Sequence, residues 1–198
     1  MMAWLHFIRH GSHDLLGRKL AGRMSGVSLN EQGQAEARAV GVMLAREGVT
    51  RVLTSPLERA RETADAIAFE TGAAVTIDEA LNELDFGDWT GASFEALAPD
   101  PAWRAWNERR CQSCPPRGET MRAAQARIVA GVHALRADDD ARVALVSHSD
   151  MIRAYLYHAL GASLDRIHAM TIDPGSRSLV RLDGDYAIIE RVNYTSGA

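Results

Sequence analysis

Cysteine is scarce in this chain of 198 residues, which contains only Cys111 and Cys114. A C-x-x-C pair supports redox chemistry when it opens a helix after a strand, and a structural zinc site needs two further ligands nearby. Here Pro115 and Pro116 follow the pair, and neither context is present. We therefore interpret the two cysteines as free thiols in a proline-rich loop.

Long apolar runs are also lacking. No stretch approaches the roughly 20 apolar residues that a helix needs to cross a bilayer. The N-terminus has no basic segment followed by an apolar one, as a secretory signal would. A formal net charge of -4 gives no reason to expect binding to nucleic acid or to anionic membranes. The sequence predicts a cytoplasmic protein without these partners, and it leaves the oligomeric state open.

The composition that remains is typical of a soluble globular protein, with 46% hydrophobic and 24% charged residues, and the length suits one domain. Predicted strands and helices alternate along the chain. Strands are expected at 4–9, 51–54, 74–77, 142–147, 169–172, 178–182 and 187–192, and helices at 30–47, from 55 onward, at 119–136 and at 148–160. This alternation is typical of an open α/β fold.

Two helix starts carry capping patterns. Ser28 and Glu31 have capping-box spacing, and Ser55 with Pro56 and Glu58 combines a serine cap, an N1 proline and an acidic residue three positions after the cap. Residues 78–118 are less regular and contain four of the six prolines and three of the four tryptophans. Irregular insertions of this length are typical of binding loops or lids.

Basic side chains follow three of the predicted strands. Arg9 and His10 end the first strand, Arg59 follows the second, and His148 follows the strand at 142–147. If these strands are parallel neighbours, the four side chains meet at one sheet edge, where helix N-termini add partial positive charge. Two guanidinium groups and two imidazoles suit a phosphate. Each residue alone could be a surface arginine or a core histidine, but solubility and burial do not require the four together.

A phosphoryl-transfer site also needs an acid for the leaving oxygen, and Glu83 or Asp85 could supply it. With these residues in place, the chain resembles the histidine phosphatase superfamily, also called phosphoglycerate mutase-like. Four blocks carry the resemblance, at residues 9–11, 55–64, 81–91 and 147–148, with secondary matches at 29–33 and 118–120. The similarity runs in order from about residue 4 to residue 192.

The resemblance implies a three-layer α/β/α sandwich with a mostly parallel sheet, forming a single domain over residues 1–198 with a lid or substrate insertion at about 78–118. It implies that His10 is the nucleophile and forms a phosphohistidine. Arg9, Arg59 and His148 would bind the phosphoryl group, and Glu83 would act as general acid and then general base. It implies a small phosphomonoester substrate and requires neither a metal nor a cofactor.

The chain departs from the family beside the expected phosphate. Many members have an acidic or polar residue and then Thr or Ser after the His-Gly pair, whereas this chain has Ser12 and His13; many have two glycines where this chain has Ser149 and Asp150. Ser12, His13 and Ser149 are candidate substrate-binding residues for this reason. His13 either binds substrate or faces solvent.

The segment at 85–89 resembles broad-range phosphatases and alpha-ribazole phosphatases, while mutases have Arg and Tyr where this chain has Leu84 and Phe86. We therefore predict a phosphomonoester hydrolase. A phosphoglycerate mutase-type phosphotransferase is the alternative, and a non-catalytic phosphate-binding module is less favoured because it would need neither His10 nor Glu83. A set of basic residues in the irregular segments hints at a multiply anionic substrate or is simply surface charge: Arg18, Lys19, Arg23, Arg104, Arg109, Arg110 and Arg117.

Overall fold

The protein is built around one six-stranded sheet. The computed structural model describes residues 2–135, 141–184 and 186–195. The strand order is β3-β2-β4-β1-β5-β6. The strands are β1 (Met2–Arg9), β2 (Arg51–Thr54), β3 (Ala74–Ile77), β4 (Arg142–Ser147), β5 (Arg177–Asp183) and β6 (Tyr186–Tyr194). Strands β3, β2, β4 and β1 are parallel, while β5 and β6 are antiparallel additions. The predicted mostly parallel sheet is confirmed.

Helices cover both faces of this sheet. They are α1 (Glu31–Arg46), α2 (Glu58–Thr71), α3 (Phe94–Leu97), α4 (Pro101–Glu108), α5 (Met121–Ala134) and α6 (Ser149–Ala159). One core cluster joins α1 and α2 to the sheet, and a second, larger cluster joins α5 and α6 to the opposite face. The three-layer α/β/α arrangement is therefore confirmed. No helix within the described ranges is long and apolar enough to cross a membrane.

The periodic apolar faces pack as the sequence predicts. Ala37, Val40, Gly41 and Leu44 are the buried face of α1. After its exposed first residue, β4 is buried along its whole length, as expected for a central parallel strand covered on both faces. The helix predicted at 119–136 is observed as α5, and its last predicted residue, Arg136, lies outside the described residues.

Both predicted helix caps are wrong in detail. Asn30, rather than Ser28, caps α1, since its side chain accepts a hydrogen bond from the Gly33 amide at 2.9 Å. Helix α2 begins only at Glu58, so Ser55 lies before the first turn rather than at its cap. The Ser55 hydroxyl still accepts weakly from the Leu57 amide at 3.4 Å, but its closer partner is a histidine of the site.

Two further segments differ from the simple alternation. The strand predicted at 169–172 is absent, and a 3₁₀ helix (Leu164–Ala169) leads into an irregular segment there. The predicted irregular insertion at 78–118 holds 3₁₀ turns at Glu79–Leu81 and Gly87–Trp89 as well as α3 and α4. These short elements stand over the edge where β1, β2 and β4 end, so the insertion contributes to the cavity there.

Candidate active site

A cavity of about 500 Å³ opens at the carboxyl edge of the parallel strands. Six predicted site residues line it: Arg9, His10, His13, Arg59, Glu83 and Ser149. The register explains their proximity, because Arg9 at the end of β1 lies opposite Ser147 at the end of β4, and Thr54 at the end of β2 lies opposite Val146. The sheet thus brings together side chains that are far apart in sequence.

His10 is buried at the base of this cavity, 3% exposed. Its Nδ1 lies 2.8 Å from the Gly11 carbonyl oxygen. A carbonyl only accepts, so Nδ1 carries the proton and Nε2 keeps its lone pair, which accepts a hydrogen bond from Arg59 Nε at 3.3 Å. Burial, then the charges of Arg59 and Arg9, hold the pKa of His10 well below its usual value. The ring is therefore neutral, with Nε2 in the state that a nucleophile requires.

The two arginines whose charges act on His10, Arg59 and Arg9, are held by backbone carbonyls. Arg59 donates from Nη2 to Gly22 at 2.7 Å, and Arg9 donates from Nη1 to Ile172 at 2.7 Å. Arg59 Nη1 and Arg9 Nε are buried without a hydrogen-bond partner. Buried donors without partners are costly, and an anion in the cavity would satisfy them.

His148 is fully buried and lies beside His10, with 5.1 Å between the ring centroids. Its Nε2 is 2.8 Å from the Ser55 hydroxyl, and its Nδ1 is 3.3 Å from Arg59 Nη2. Because a guanidinium only donates, Nδ1 accepts in this arrangement and the ring is neutral. Burial first, and then Arg59, lower the pKa of His148 well below its usual value.

Glu83, and not Asp85, lines the cavity. Its backbone carbonyl accepts from Arg23 Nε at 2.7 Å, and its Oε2 lies 3.8 Å from His148 Nδ1. Burial first, and then the charge of Asp150, raise the pKa of Glu83 to about 7. Asp85 instead faces Arg23 at 3.7 Å and is 41% exposed. Of the two predicted candidates, only Glu83 is placed to exchange a proton with a molecule in the cavity.

The three substrate-binding candidates at positions that depart from the family lie at different places. His13 lines the cavity and is 5% exposed, so the solvent-facing alternative is wrong; its ring centroid is 5.3 Å from that of His10. Ser149 also lines the cavity, and its hydroxyl is buried without a partner. Ser12 points elsewhere, with its hydroxyl donating to Glu36 at 2.9 Å.

Sequence reasoning missed Arg153 and His168, which line the far side of the cavity together with Arg110 and Asp150. The helical spacing of Asp150 and Arg153 after His148 was a usable signal, whereas nothing in the sequence places His168 there. Of the seven basic residues of the irregular segments, only Lys19 and Arg110 reach the cavity.

The two cysteines do not line the cavity. Cys111 and Cys114 are both free thiols, as interpreted from the sequence. Within the described ranges, no group of three or more His, Cys, Asp or Glu side chains is arranged to hold a metal ion.

Comparison with known proteins agrees with this fold. The sequence profile of the histidine phosphatase superfamily (branch 1) matches residues 5–195. The chain therefore belongs to this superfamily.

Individual relatives differ in length and name. The bifunctional protein Rv2228c of Mycobacterium tuberculosis is 33% identical over 96% of this chain, and the chain spans only 54% of it, about half its length. A 2,3-bisphosphoglycerate-dependent phosphoglycerate mutase of Mesorhizobium japonicum is 30% identical over 96% of this chain and 98% of its own. The solved structure of the mycobacterial glucosyl-3-phosphoglycerate phosphatase Rv2419c with VO3 has 27% identity and a TM-score of 0.87, covering 98% of this chain and all of that one.

Proposed function

We propose that the protein is a phosphomonoester hydrolase that acts on a small phosphorylated metabolite through a phosphohistidine on His10. The observation that carries the proposal is the placement of His10, whose Nδ1 lies 2.8 Å from the Gly11 carbonyl oxygen and whose Nε2 accepts from Arg59 in a cavity that Arg9 also lines. A pure binding site would gain more from a charged imidazole than from a neutral one, whereas a nucleophile must be neutral.

In the first step, His10 Nε2 attacks phosphorus and the bond from phosphorus to the leaving oxygen breaks. Glu83, protonated near neutrality, gives its proton to that oxygen, so an alcohol leaves. Arg9 and Arg59 hold the non-bridging oxygens with the buried donors that have no partner within the protein, Arg9 Nε and Arg59 Nη1. Charge stabilisation and positioning supply most of the rate in phosphoryl transfer.

In the second step, Glu83 as carboxylate takes a proton from water, and the hydroxide adds to phosphorus as the bond to Nε2 breaks. Inorganic phosphate leaves, and His10 returns to its neutral form with the proton still on Nδ1. A bound dianion would raise the pKa of His148 from its low value and let it donate to a phosphoryl oxygen. His13 and Ser149, which line the same cavity, would complete the phosphate contacts. Ser12 would act indirectly, through the loop that carries His10 and His13.

The names of related proteins support the hydrolase assignment. One solved neighbour is called a phosphatase and was solved with vanadate, an anion that resembles the phosphoryl group in transfer. Other relatives are named as phosphoglycerate mutases, and they support the phosphotransferase alternative. The two activities share the same first step and differ in whether water or a second substrate receives the phosphoryl group.

Release of phosphate from a generic aryl phosphate tests the proposal. We expect the wild-type protein to hydrolyse it, His10→Ala to abolish turnover, and His158→Ala, at an exposed histidine outside the cavity, to keep it. Activity of His10→Ala equal to that of the wild type would contradict the assignment. Interconversion of phosphoglycerates much faster than their hydrolysis would favour the mutase, and binding of phosphate without turnover would favour the module.

A further inference from the structure

The backbone that leads to Glu83 is held by side chains of other elements. Within residues 79–83, the backbone carbonyl of every residue accepts a hydrogen bond from such a side chain. Ser147, at the end of β4, donates from its hydroxyl to the Leu81 carbonyl at 2.7 Å. Arg127, on α5, donates from Nη1 to three of these carbonyls at 2.9 Å each, those of Glu79, Ala80 and Asn82.

Two arginines meet at the last of these carbonyls. The Glu83 carbonyl oxygen lies 2.7 Å from Arg23 Nε and 3.4 Å from Arg127 Nη2. Glu119 joins the two guanidinium groups, because its Oε2 accepts from Arg23 Nη2 at 3.1 Å and from Arg127 Nη2 at 2.9 Å. The Glu119 amide also donates to the Asp85 carbonyl at 2.8 Å, so the chain is held on both sides of Glu83. We name Arg23, Glu119 and Arg127 the Glu83 clamp.

The clamp extends beyond what the local turn needs. The 3₁₀ turn at Glu79–Leu81 has bonds of its own, since the Asp78 side chain accepts from the Ala80 amide at 2.8 Å and the Asp78 carbonyl accepts from the Leu81 amide at 3.0 Å. The Glu83 carbonyl lies outside this turn, and it is the one on which two guanidinium groups converge. The clamp therefore ends on the residue that carries the acid.

The Glu83 carboxyl group is tied to the same stretch of backbone. Its Oε1 accepts from the Leu84 amide at 2.9 Å, and its Oε2 lies 3.8 Å from His148 Nδ1. Because the oxygen that accepts from an amide is the carbonyl oxygen of a protonated carboxyl group, Oε2 carries the proton that Glu83 gives up. Movement of the backbone at Glu83 and Leu84 would therefore move the acidic proton with it.

We propose that the Glu83 clamp is a set of positioning residues, which hold Glu83 Oε2 at the leaving oxygen of the substrate. None of its three members lines the cavity, so they act through the backbone of Glu83 and not on the substrate. A displacement of about 1 Å at a reacting group can cost about 10²-fold in rate, which is the scale of effect that such a clamp prevents. This inference rests on the proposed hydrolase function and adds to it the residues that place its acid.

The test compares kcat/KM for hexyl phosphate, whose leaving group needs a proton, with that for 4-nitrophenyl phosphate, whose leaving group needs little protonation. Both are measured well below pH 7, where Glu83, with its pKa raised to about 7, is protonated, so a changed pKa cannot produce the result. We expect Arg127→Met to lower the value for hexyl phosphate by roughly 10²-fold and that for the aryl ester by less than about threefold. In a Glu83→Gln background, Arg127→Met should lower the value for hexyl phosphate by less than about threefold, because the group that it positions is already gone.

Arg122→Met is the matched control, because Arg122 is exposed on the same helix and donates to the Cys111 carbonyl instead; it should leave both values unchanged. A loss in Arg127→Met that is equal for the two esters, or that is the same with and without Glu83, would show a general loss of structure and overturn the proposal. Unchanged values for both esters would overturn it as well.

A second variant decides if Arg127→Met does not fold. Arg23 is 33% exposed, and its Nε reaches the Glu83 carbonyl. Arg23→Met should lower kcat/KM for hexyl phosphate alone, by about tenfold, the worth of one hydrogen bond to a charged group; no selective loss there would overturn the proposal. These outcomes concern the clamp alone, whereas no turnover of 4-nitrophenyl phosphate by the wild type would overturn the hydrolase function itself.

Discussion

The Nε atom of Arg59 donates to the Nε2 atom of His10 at 3.3 Å, so the nitrogen proposed to attack phosphorus faces a guanidinium. A permanent positive charge at this distance opposes protonation of the imidazole, and burial acts in the same direction. The same guanidinium has one buried donor left unpartnered. One arginine can therefore keep the nucleophile neutral before the substrate arrives and bind the phosphoryl group afterwards.

Arg59→Lys tests this double role. An ammonium group keeps the charge but cannot reach Gly22, His148 and a phosphoryl oxygen from one planar group. We expect kcat/KM for an aryl phosphate to fall by roughly 10²–10³-fold, the usual loss for one transition-state donor. Arg61→Lys, at an exposed position of the same helix, is the control and should change little. A comparably small effect at both positions would contradict the role given to Arg59.

Glu83→Gln tests the assignment of the general acid. The acid must be protonated, and its pKa is raised to about 7, so the rate for alkyl esters should decline as the pH rises above about 7. The variant should lose this decline and about 10²–10⁴-fold of the rate. The loss should be smaller for an aryl ester whose leaving group needs less protonation. Asp85→Asn should keep both the rate and the decline; loss of the alkaline limb there would reassign the acid.

His13 gives the protein a pH-dependent stability. Burial first, and then Arg59 and Arg9, lower its pKa from 6.5 to about 4. The unfolded chain binds the proton more tightly, so this stability is complete above pH 6.5 and is lost as the pH falls toward 4. In urea unfolding, His13→Asn should lose less stability over this range than the wild type, by roughly 1–3 kcal/mol. Parallel losses in the two proteins would show that His13 does not titrate this way, and His158→Asn should match the wild type.

Gly11→Ala tests the close packing of the His10 loop on α1. A Cβ atom at Gly11 would lie 2.5 Å from the Gly33 carbonyl oxygen, so the backbone must move. We expect a loss of about 1–3 kcal/mol in the free energy of unfolding and a fall in kcat/KM, since the moved segment carries His10. Gly161→Ala has no atom within 4 Å of its Cβ and only the strain of φ +62°, so it should keep kcat/KM. Full activity in Gly11→Ala would show that the loop tolerates the movement.

Local patterns were sufficient for much of the fold. The buried run of β4 and the apolar face of α1 were readable because each follows the period of its element. The missing strand at 169–172 shows the limit, since a short apolar run carries no period that separates a strand from a 3₁₀ helix and loop. Ser55 shows another limit. Its capping pattern is genuine in sequence, but the Ser55 hydroxyl is only 2.8 Å from His148, a contact that tertiary packing creates.

The site also has a part that the sequence could predict and a part that it could not. Arg9, His10, Arg59 and His148 could be expected together because parallel strand ends share one edge, and His148 lies beside His10 in the structure. Glu83 was one of two acid candidates in the insertion, and it lines the same cavity as Arg9, His10 and Arg59. The pairing of Arg110 with Asp150 could not be derived, because the two residues are 40 positions apart and meet only in the folded chain. Charge counted along the sequence therefore suggested free cations, whereas the folded chain pairs Arg110.

Chemical trapping tests the central claim most directly. The protein is mixed briefly with a phosphomonoester labelled on phosphorus, denatured in alkali, and digested to locate the label. Because a phosphohistidine is stable in base and labile in acid, the account predicts acid-labile label on the peptide that carries His10, and none in His10→Ala. Steady hydrolysis with no label during turnover, or label on a different residue, would contradict it.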